Sequence, residues 1–473
     1  MSFPLTPGID RERCRQRPRR LALSLAVLAV AALSAPAQVA AADPCYSQAG
    51  CTQQARSATA FTASVGVNTH LGYSDSSYYR NWPLIRSRLI ELGVSHIRDG
   101  TFPVGYPAVI GPTVAARYNE LNAAGIKGNL LVGHEQSMSD GAPTTLAQRL
   151  DWIKSKVPGF TIAIEGTNEW DTWGADGGRI QALRDMQCDI YGRVKADPAL
   201  ASKLVIGPSS GNMYEDRIWY GEIGDLSGCL DRGNLHPYSG ADPPHRRLSR
   251  DLSVAFDWGR TTYGAKALWA SETGYWNSTS DANDVSEAAS GIYIPRSFME
   301  YFRRGVERSQ AYELIDGSTG SGQVIDNYGL LRSDGTPKPA FTALRNMLTI
   351  VKDTKAASGS LGFGIVCQTN CRSGDPAAFP TQDGPIRHVL LRDSRRAYYL
   401  AVWSESKVWD PAGRKDTPKA AQGFKLYLHR APAKIEIFDP ASGTAPIRTD
   451  SSRSKVLDTT APDGLRLIKV TPR

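Results

Sequence analysis

Beyond its first 42 residues the 473-residue chain has no apolar run near the ~20 residues that a membrane-spanning helix requires, so no stable membrane insertion is expected. Histidine is scarce, at seven. No His-x-His closes the first expected strand, where Asn68-Thr69-His70 supplies one imidazole, and no paired C-x-x-C exists, so neither a metal-dependent barrel hydrolase nor a zinc cluster is favoured. No G-x-G-x-x-G turn follows that strand, which removes the usual dinucleotide signature. Nor is there a Lys/Arg patch interleaved with aromatics, and no nucleic-acid partner is expected. The chain also lacks internal repeats and long low-complexity segments. Neither metal nor cofactor is therefore predicted.

What is present begins with a leader. Six arginines lie between Arg11 and Arg20, an apolar run extends from Leu21 to Leu33, and small residues lead to Ala40-Ala41-Ala42. That order is a secretory signal peptide over residues 1–42, with cleavage expected near Ala42 and release of a secreted protein. Because the leader carries six basic and two acidic side chains, its removal lowers the formal net charge from +8 to +4.

Cysteine usage agrees with export. Cys14 lies in the leader, leaving Cys45, Cys51, Cys188, Cys229, Cys367 and Cys371. Six cysteines allow fifteen pairings, of which neighbours in sequence make the simplest: 45 with 51, 188 with 229, 367 with 371.

About 430 mature residues exceed one ordinary domain, and 41% hydrophobic with 22% charged residues is a folded composition. From residue 64 to 353, short apolar runs alternate with helical patterns such as Ile85, Leu89 and Leu92 or Leu146, Leu150 and Ile153. Eight strands are expected, at Val65 to His70, Ser95 to Asp99, Gly128 to Val132, Thr161 to Gly166, Leu204 to Gly207, Asn234 to Tyr238, Ala267 to Glu272 and Ala311 to Asp316. Eight β-then-α units in about 290 residues predict an α/β fold, a (β/α)8 TIM barrel. Residues 354–473 carry short strand-like runs between Gly, Pro, Asp and Ser clusters and predict a C-terminal all-β sandwich domain. The N-terminal segment 43–63 is expected to lend it a strand at Ser57 to Thr62.

In such a barrel the chemistry gathers where strands end. The fourth strand closes on Asn168-Glu169-Trp170, and the seventh on Ser271-Glu272. Strands four and seven face each other across the barrel mouth, so one carboxylic acid can protonate a glycosidic oxygen while the other attacks the anomeric carbon. Retention needs the two groups ~5–5.5 Å apart, and inversion ~6.5–9.5 Å.

Asn168-Glu169 and Glu272, 103 residues apart, resemble the acid/base and nucleophile pair of glycoside hydrolase clan A, with family 39-like enzymes nearest. The resemblance covers residues 64 to 353, and the sandwich is similar to that of several families in the clan. It implies Glu169 as acid/base, Glu272 as nucleophile and Asn168 as the amide on the sugar 2-hydroxyl. Arg98 after strand two and His236-Pro237-Tyr238 on strand six fit the clan's supporting positions, with Arg98 and Tyr238 holding Glu272 ionised. Other candidate sugar contacts are His70, Asp99, His134, Glu135, Glu313 and Asp316, with Trp170, Trp173, Tyr275 and Trp276 as stacking faces. One departure stands out: many relatives end strand eight with a tryptophan, where this chain reads Tyr312-Glu313-Leu314-Ile315-Asp316.

The expected function is thus that of a secreted, monomeric retaining glycoside hydrolase acting on a poly- or oligosaccharide. A barrel that binds carbohydrate without cleaving it is the alternative, ahead of a metal-dependent hydrolase.

Overall fold

A computed structural model describes residues 45–103, 110–133, 144–173, 177–211, 217–247, 250–278, 282–317, 324–368 and 386–473. The described chain opens with β1 (Cys51–Ser57) and α1 (Ala58–Ser64). Eight short strands follow: β2 (Val65–Asn68), β3 (His96–Gly100), β4 (Lys127–Leu131), β5 (Thr161–Glu165), β6 (Leu204–Ile206), β7 (Gly233–Leu235), β8 (Leu268–Thr273) and β9 (Arg308–Ala311). All pair in parallel, in the order β6-β5-β4-β3-β2-β9-β8-β7. A parallel bridge from Ile206 to Arg232 brings the two ends together, so the sheet is a nearly closed barrel.

Alternation within each strand explains the layers. Val65, Val67, Ile97, Leu130, Ile164 and Val205 are fully buried in the main apolar core with the surrounding helices. Their neighbours one residue away turn into the barrel, because side chains alternate across a strand. Helix α2 (Trp82–Leu92) buries Ile85, Leu89 and Leu92 and stops where Gly93 adopts φ 78°. Helix α3 (Leu146–Lys156) starts from a capping box between Thr145 and Gln148.

Two expected strands fall elsewhere. Ser57 to Thr62 is not a strand: Ala58, Phe61 and Ser64 are buried at a spacing of three, which suits the helix α1, and the strand is the segment before it. The last barrel strand is Arg308–Ala311, three residues upstream of expectation, because its polar Ser309 and Gln310 are buried in the barrel wall while 312–316 form the rim loop. Ile315 there makes only a single bridge to Leu331.

After the barrel come β10 (Gly359–Cys367), β11 (Ile386–Arg392), β12 (Tyr398–Ser404), β13 (Gln422–Leu428), β14 (Lys434–Phe438), β15 (Pro446–Asp450), β16 (Val456–Ala461) and β17 (Arg466–Thr471). With β1 they form one nine-stranded array, β15-β14-β17-β12-β11-β1-β10-β13-β16. Strand β1 is its corner, antiparallel to β10 from Cys51 to Ala55 and then parallel to β11 at Arg56 and Ser57. Between the two halves lies a separate core containing Phe363, Ile365, Leu400, Phe424, Leu426 and Ile468. The opposite face of β11 and β12, with Val389, Leu391, Tyr399, Ala401 and Trp403, joins the barrel's own core. Buried on both faces, β12 reads as the unbroken run Tyr-Tyr-Leu-Ala-Val-Trp.

Disulfides join Cys45 to Cys51 and Cys188 to Cys229, as sequence proximity suggests. Cys367 is disulfide-bonded too, and Cys371 lies outside the described residues. Among the described residues no helix is long and apolar enough to cross a membrane.

Residues Ala42–Arg473 form a single compact unit. Replacing Trp403, which is 1% exposed, with alanine should cost about 3–5 kcal/mol. Calorimetry should show barrel and sandwich melting together at the lower temperature; two separated transitions in the variant would show that the shared core does not couple them.

Candidate active site

Residues two apart on a strand point to the same side, and at the C-terminal end of the barrel this brings polar side chains inward. Asn68 ends β2, Arg98 lies on β3, Asn129 on β4, Glu165 ends β5 and Asn234 lies on β7. Strand β8 would send Ser271 and Glu272 to opposite sides, but its register on β9 shifts between Ala270 and Thr273. That irregularity lets both face the axis.

Arg98 organises the group. Its Nη2 donates to Glu165 Oε1 at 2.7 Å, its Nη1 to Glu272 Oε1 at 2.5 Å, and the same two nitrogens donate to Asn168 Oδ1 at 2.6 Å and Asn68 Oδ1 at 3.1 Å. Only 6% of Arg98 is exposed. Burial alone would weaken its proton, but the charges of Glu165 and Glu272 hold the guanidinium more firmly protonated than a free arginine. Glu272 is fixed from its other side by Tyr238, whose hydroxyl donates to Oε2 at 2.7 Å. Burial, and then the negative charge of Glu272, push that phenol well above its usual range.

Glu169 sits just beyond β5 with φ at +40°, an unusual backbone state for a side chain of its size. Its amide donates to Ser209 Oγ at 3.1 Å, which holds the turn. Its Oε1 lies 2.8 Å from His236 Nδ1, and that same nitrogen is 3.6 Å from Glu272 Oε2. Burial pulls the fully enclosed ring of His236 down, yet the charge of Glu272 and the contact with Glu169 outweigh it and raise its proton affinity above an ordinary histidine's. One atom each from Glu169, His236 and Glu272 lies within 4.8 Å of the others. These three are the one group among the described residues that could converge on a metal ion. Arg98 already places a cation on Glu272, with Nη1 2.5 Å from its Oε1.

A cavity of about 190 Å³ opens onto Arg98, Asn168, Glu272, Asn68, His70 and Tyr312. A second lobe of about 670 Å³ shares His70, Tyr73 and Tyr312 and runs on past Tyr78, Glu313 and Asp316. Around Glu272 the wall is aromatic, with Tyr328 meeting Tyr238 at 5.6 Å, Trp276 at 5.2 Å and Tyr312 at 5.4 Å between ring centroids.

The sequence-derived residues fare unevenly. Arg98, Asn168, Glu169, His236, Tyr238 and Glu272 come together at the rim. His70 faces both lobes, stacked on Tyr73, and burial first of all drags its imidazole down to about 4, so it is neutral near neutrality. Trp276 is half-buried beside Tyr328. Trp170 is 7% exposed and belongs to an apolar cluster with Leu183, Tyr220 and Leu226. Asp316 lines the second lobe rather than the smaller cavity, bound to Lys338 Nζ and the Gly329 amide, each at 2.8 Å. Tyr275 is buried, its hydroxyl on the Asp242 carbonyl, and Asp99 is tied to Thr69 and to the Leu71 and Gly100 amides. Glu135 and His134 lie outside the described residues.

Sequence reasoning missed Glu165, Ser271, Asn234 and Tyr328. Glu165 did leave a signal, since it interrupts the apolar run Thr161-Ile-Ala-Ile and a fully buried carboxylate demands a cation.

No family model matches the chain, and no curated protein does. Solved structures match its fold. A family 39 glycoside hydrolase from Bacteroides cellulosilyticus WH2 aligns with TM-score 0.52 and 16% identity over 88% of this chain and 81% of the other. An α-L-arabinofuranosidase from Thermotoga maritima gives 0.57 and 12% over 89% and 100%. A GH30 endoxylanase from Clostridium papyrosolvens C71 gives 0.50 and 12% over 89% and 97%. At such identities the likeness is one of architecture: the chain shares the fold of these structures, a barrel with an appended β-rich region.

Glu313 yields a pH test. Burial, then the nearby negative charges of Asp316 and Glu272, push its carboxyl up from 4.5 to about 8 against the hydrogen bond from Tyr78. A carboxyl that holds its proton more tightly when folded loses stability as pH rises from about 4.5 to about 8. Glu313→Gln, which cannot ionise, should therefore gain roughly 2–4 kcal/mol on the wild type between pH 5 and 8. Parallel melting-temperature curves for the two proteins over that range would refute the assignment.

Proposed function

We propose that the chain is a secreted retaining glycoside hydrolase that cleaves O-glycosidic bonds in a poly- or oligosaccharide by double displacement. The observation that carries this reading is the pair at the rim: an oxygen of Glu169 within 4.8 Å of an oxygen of Glu272. That spacing suits the ~5–5.5 Å of retaining enzymes better than the ~6.5–9.5 Å of inverting ones. The shared architecture with glycoside hydrolases supports it.

The two carboxyls differ in their surroundings. Glu272 accepts from Arg98 and Tyr238, both of which stabilise its anion. Its carboxylate attacks the anomeric carbon while the bond to the leaving oxygen breaks and Glu169 delivers a proton to that oxygen. Glu169, now ionised, takes a proton from water; the resulting hydroxide equivalent attacks the anomeric carbon and releases Glu272. Asn168 gives its carbonyl to Arg98, which turns its amide nitrogen toward the cavity as a donor for a sugar hydroxyl. His70 and Trp276 would border the bound sugar, and Asp316 would act further along the cleft.

Residues 1–42 are read as a leader lost on export, residues 64–353 as the catalytic barrel domain and 354–473 as the sandwich domain. Disulfides within the chain suit an oxidising compartment. No cofactor is assigned, and the active form is read as a monomer.

Digesting a panel of plant and bacterial polysaccharides, with NMR of the first product's anomeric proton, tests both activity and stereochemistry. Glu272→Gly should be nearly inactive yet form a glycosyl azide of opposite configuration when azide is supplied. Glu169→Ala should lose roughly 10²–10⁴-fold on poor leaving groups and far less on activated aryl glycosides. Wild-type rates in both variants would end the proposal. Binding without hydrolysis by the native protein would instead favour a carbohydrate-binding barrel.

A further inference from the structure

The barrel interior connects Glu169 to a second carboxylate by a chain of hydrogen bonds whose directions are fixed. Glu165 is fully buried, and its oxygens face only donors: Arg98, Asn129 Nδ2, Asn234 Nδ2 at 3.0 Å and Ser271 Oγ at 3.0 Å. A carboxyl surrounded in this way is an ionised acceptor. Ser271 has one hydroxyl proton, and that proton goes to Glu165. At 3.0 Å from His236 Nε2, the serine oxygen must therefore accept, which puts a hydrogen on Nε2. A neutral ring then has a bare lone pair at Nδ1, and Nδ1 is 2.8 Å from Glu169 Oε1. Two lone pairs cannot meet at that distance, so a proton lies between them.

We infer that Glu165 and Ser271 are positioning residues which hold His236 as its Nε2–H tautomer, so that His236 Nδ1 and Glu169 share the single proton delivered to the leaving group. The inference deepens the role proposed for Glu169 and rests on it for its catalytic meaning; the hydrogen-bond chain itself does not. Other groups facing the ring do not supply an alternative partner for Nε2. Glu272 approaches Nδ1 at 3.6 Å, Arg98 acts at a distance as an opposing charge, and Tyr238 meets the ring edge-on at 6.5 Å with its hydroxyl already given to Glu272.

Without the serine hydroxyl the ring is free to move its hydrogen to Nδ1, from where it would donate to Glu169 and favour the ionised carboxylate. The sharpest test reads the tautomer directly, by two-bond proton–nitrogen NMR of the full-length secreted protein labelled at histidine, with His236 assigned through its loss in His236→Asn. At about pH 7 the wild type should show a protonated Nε2, and so should Ser271→Thr, which keeps the hydroxyl. Ser271→Ala should populate the Nδ1–H form. A neutral Nδ1–H ring in the wild type, or a ring unchanged by Ser271→Ala, would overturn the inference.

Activity adds a second readout on whichever glycoside the panel selects. The alkaline limb of kcat/KM should move down by about one pH unit in Ser271→Ala and return in Ser271→Thr. A uniform fall in rate with an unchanged profile counts against the relay and indicates a merely structural serine. Should the wild type cleave nothing, the proposed function fails while the NMR still decides the tautomer.

Discussion

One guanidinium, Arg98, holds two buried carboxylates at once, Glu165 beneath and Glu272 at the rim, and the geometry of the mouth follows from that sharing. Moving either acid out of water unpaired would cost several kcal/mol. Arginine suits the task because its planar fork offers five donors in fixed directions, and here they also reach Asn68 and Asn168. A lysine would bring the charge but could not span four partners. The two asparagines thereby have their carbonyls fixed, which orients their amide nitrogens as well.

The barrel supports this cluster by dividing its interior by depth. Lower down, Ala163, Ile206 and the fully buried Trp269 fill the centre with apolar volume. Two residues further along β5, β8 and past β7 come Glu165, Ser271 and His236, and the interior turns polar within one step of the strand repeat. Rigid strands hold all of the partners but Glu169, Asn168, Tyr238 and His236, which lie just past strand ends. The sandwich closes the outside of the assembly through β11 and β12, and Arg296 on the barrel's Glu287–Arg303 helix reaches the Ser406 and Asp463 carbonyls beyond. Among the described residues none of its strands lines either cavity.

Legibility from sequence followed the physics of each element. Strands facing helices on one side advertised themselves by Val, Ile and Leu, so seven barrel strands fell within a few residues of their expected positions. The eighth did not, because Ser309 and Gln310 look unlike a buried strand. Strand β10 is hard to read in sequence for a related reason: the three glycines of Gly-Ser-Leu-Gly-Phe-Gly look unlike a strand, although Gly364 lies against the Ser47 carbonyl with no space for a Cβ. Within the site, residues at strand ends were readable because carboxylates and an Asn-Glu pair stand out there. Ser271 needed three dimensions, because a serine is unremarkable until its one proton has been assigned.

That assignment also bears on charge. One guanidinium against two carboxylates leaves a single negative charge beside the cavity, and the Glu169–His236 pair, holding one shared proton, adds none. On the proposed reading the reacting sugar passes through a cationic, oxocarbenium-like state. A fixed excess of one negative charge, set by buried groups that need not reorganise, favours that state over a neutral sugar. Once Glu169 gives its proton away, its carboxylate and the bare Nδ1 are two acceptors facing each other across a gap suited to one proton, which strengthens Glu169's claim on the water proton in the second step; an imidazolium there would hold Glu169 ionised and weaken that claim. The relay through Ser271 to Glu165 thus serves both halves of the cycle, by keeping one proton to give before transfer and a site that recovers one after it.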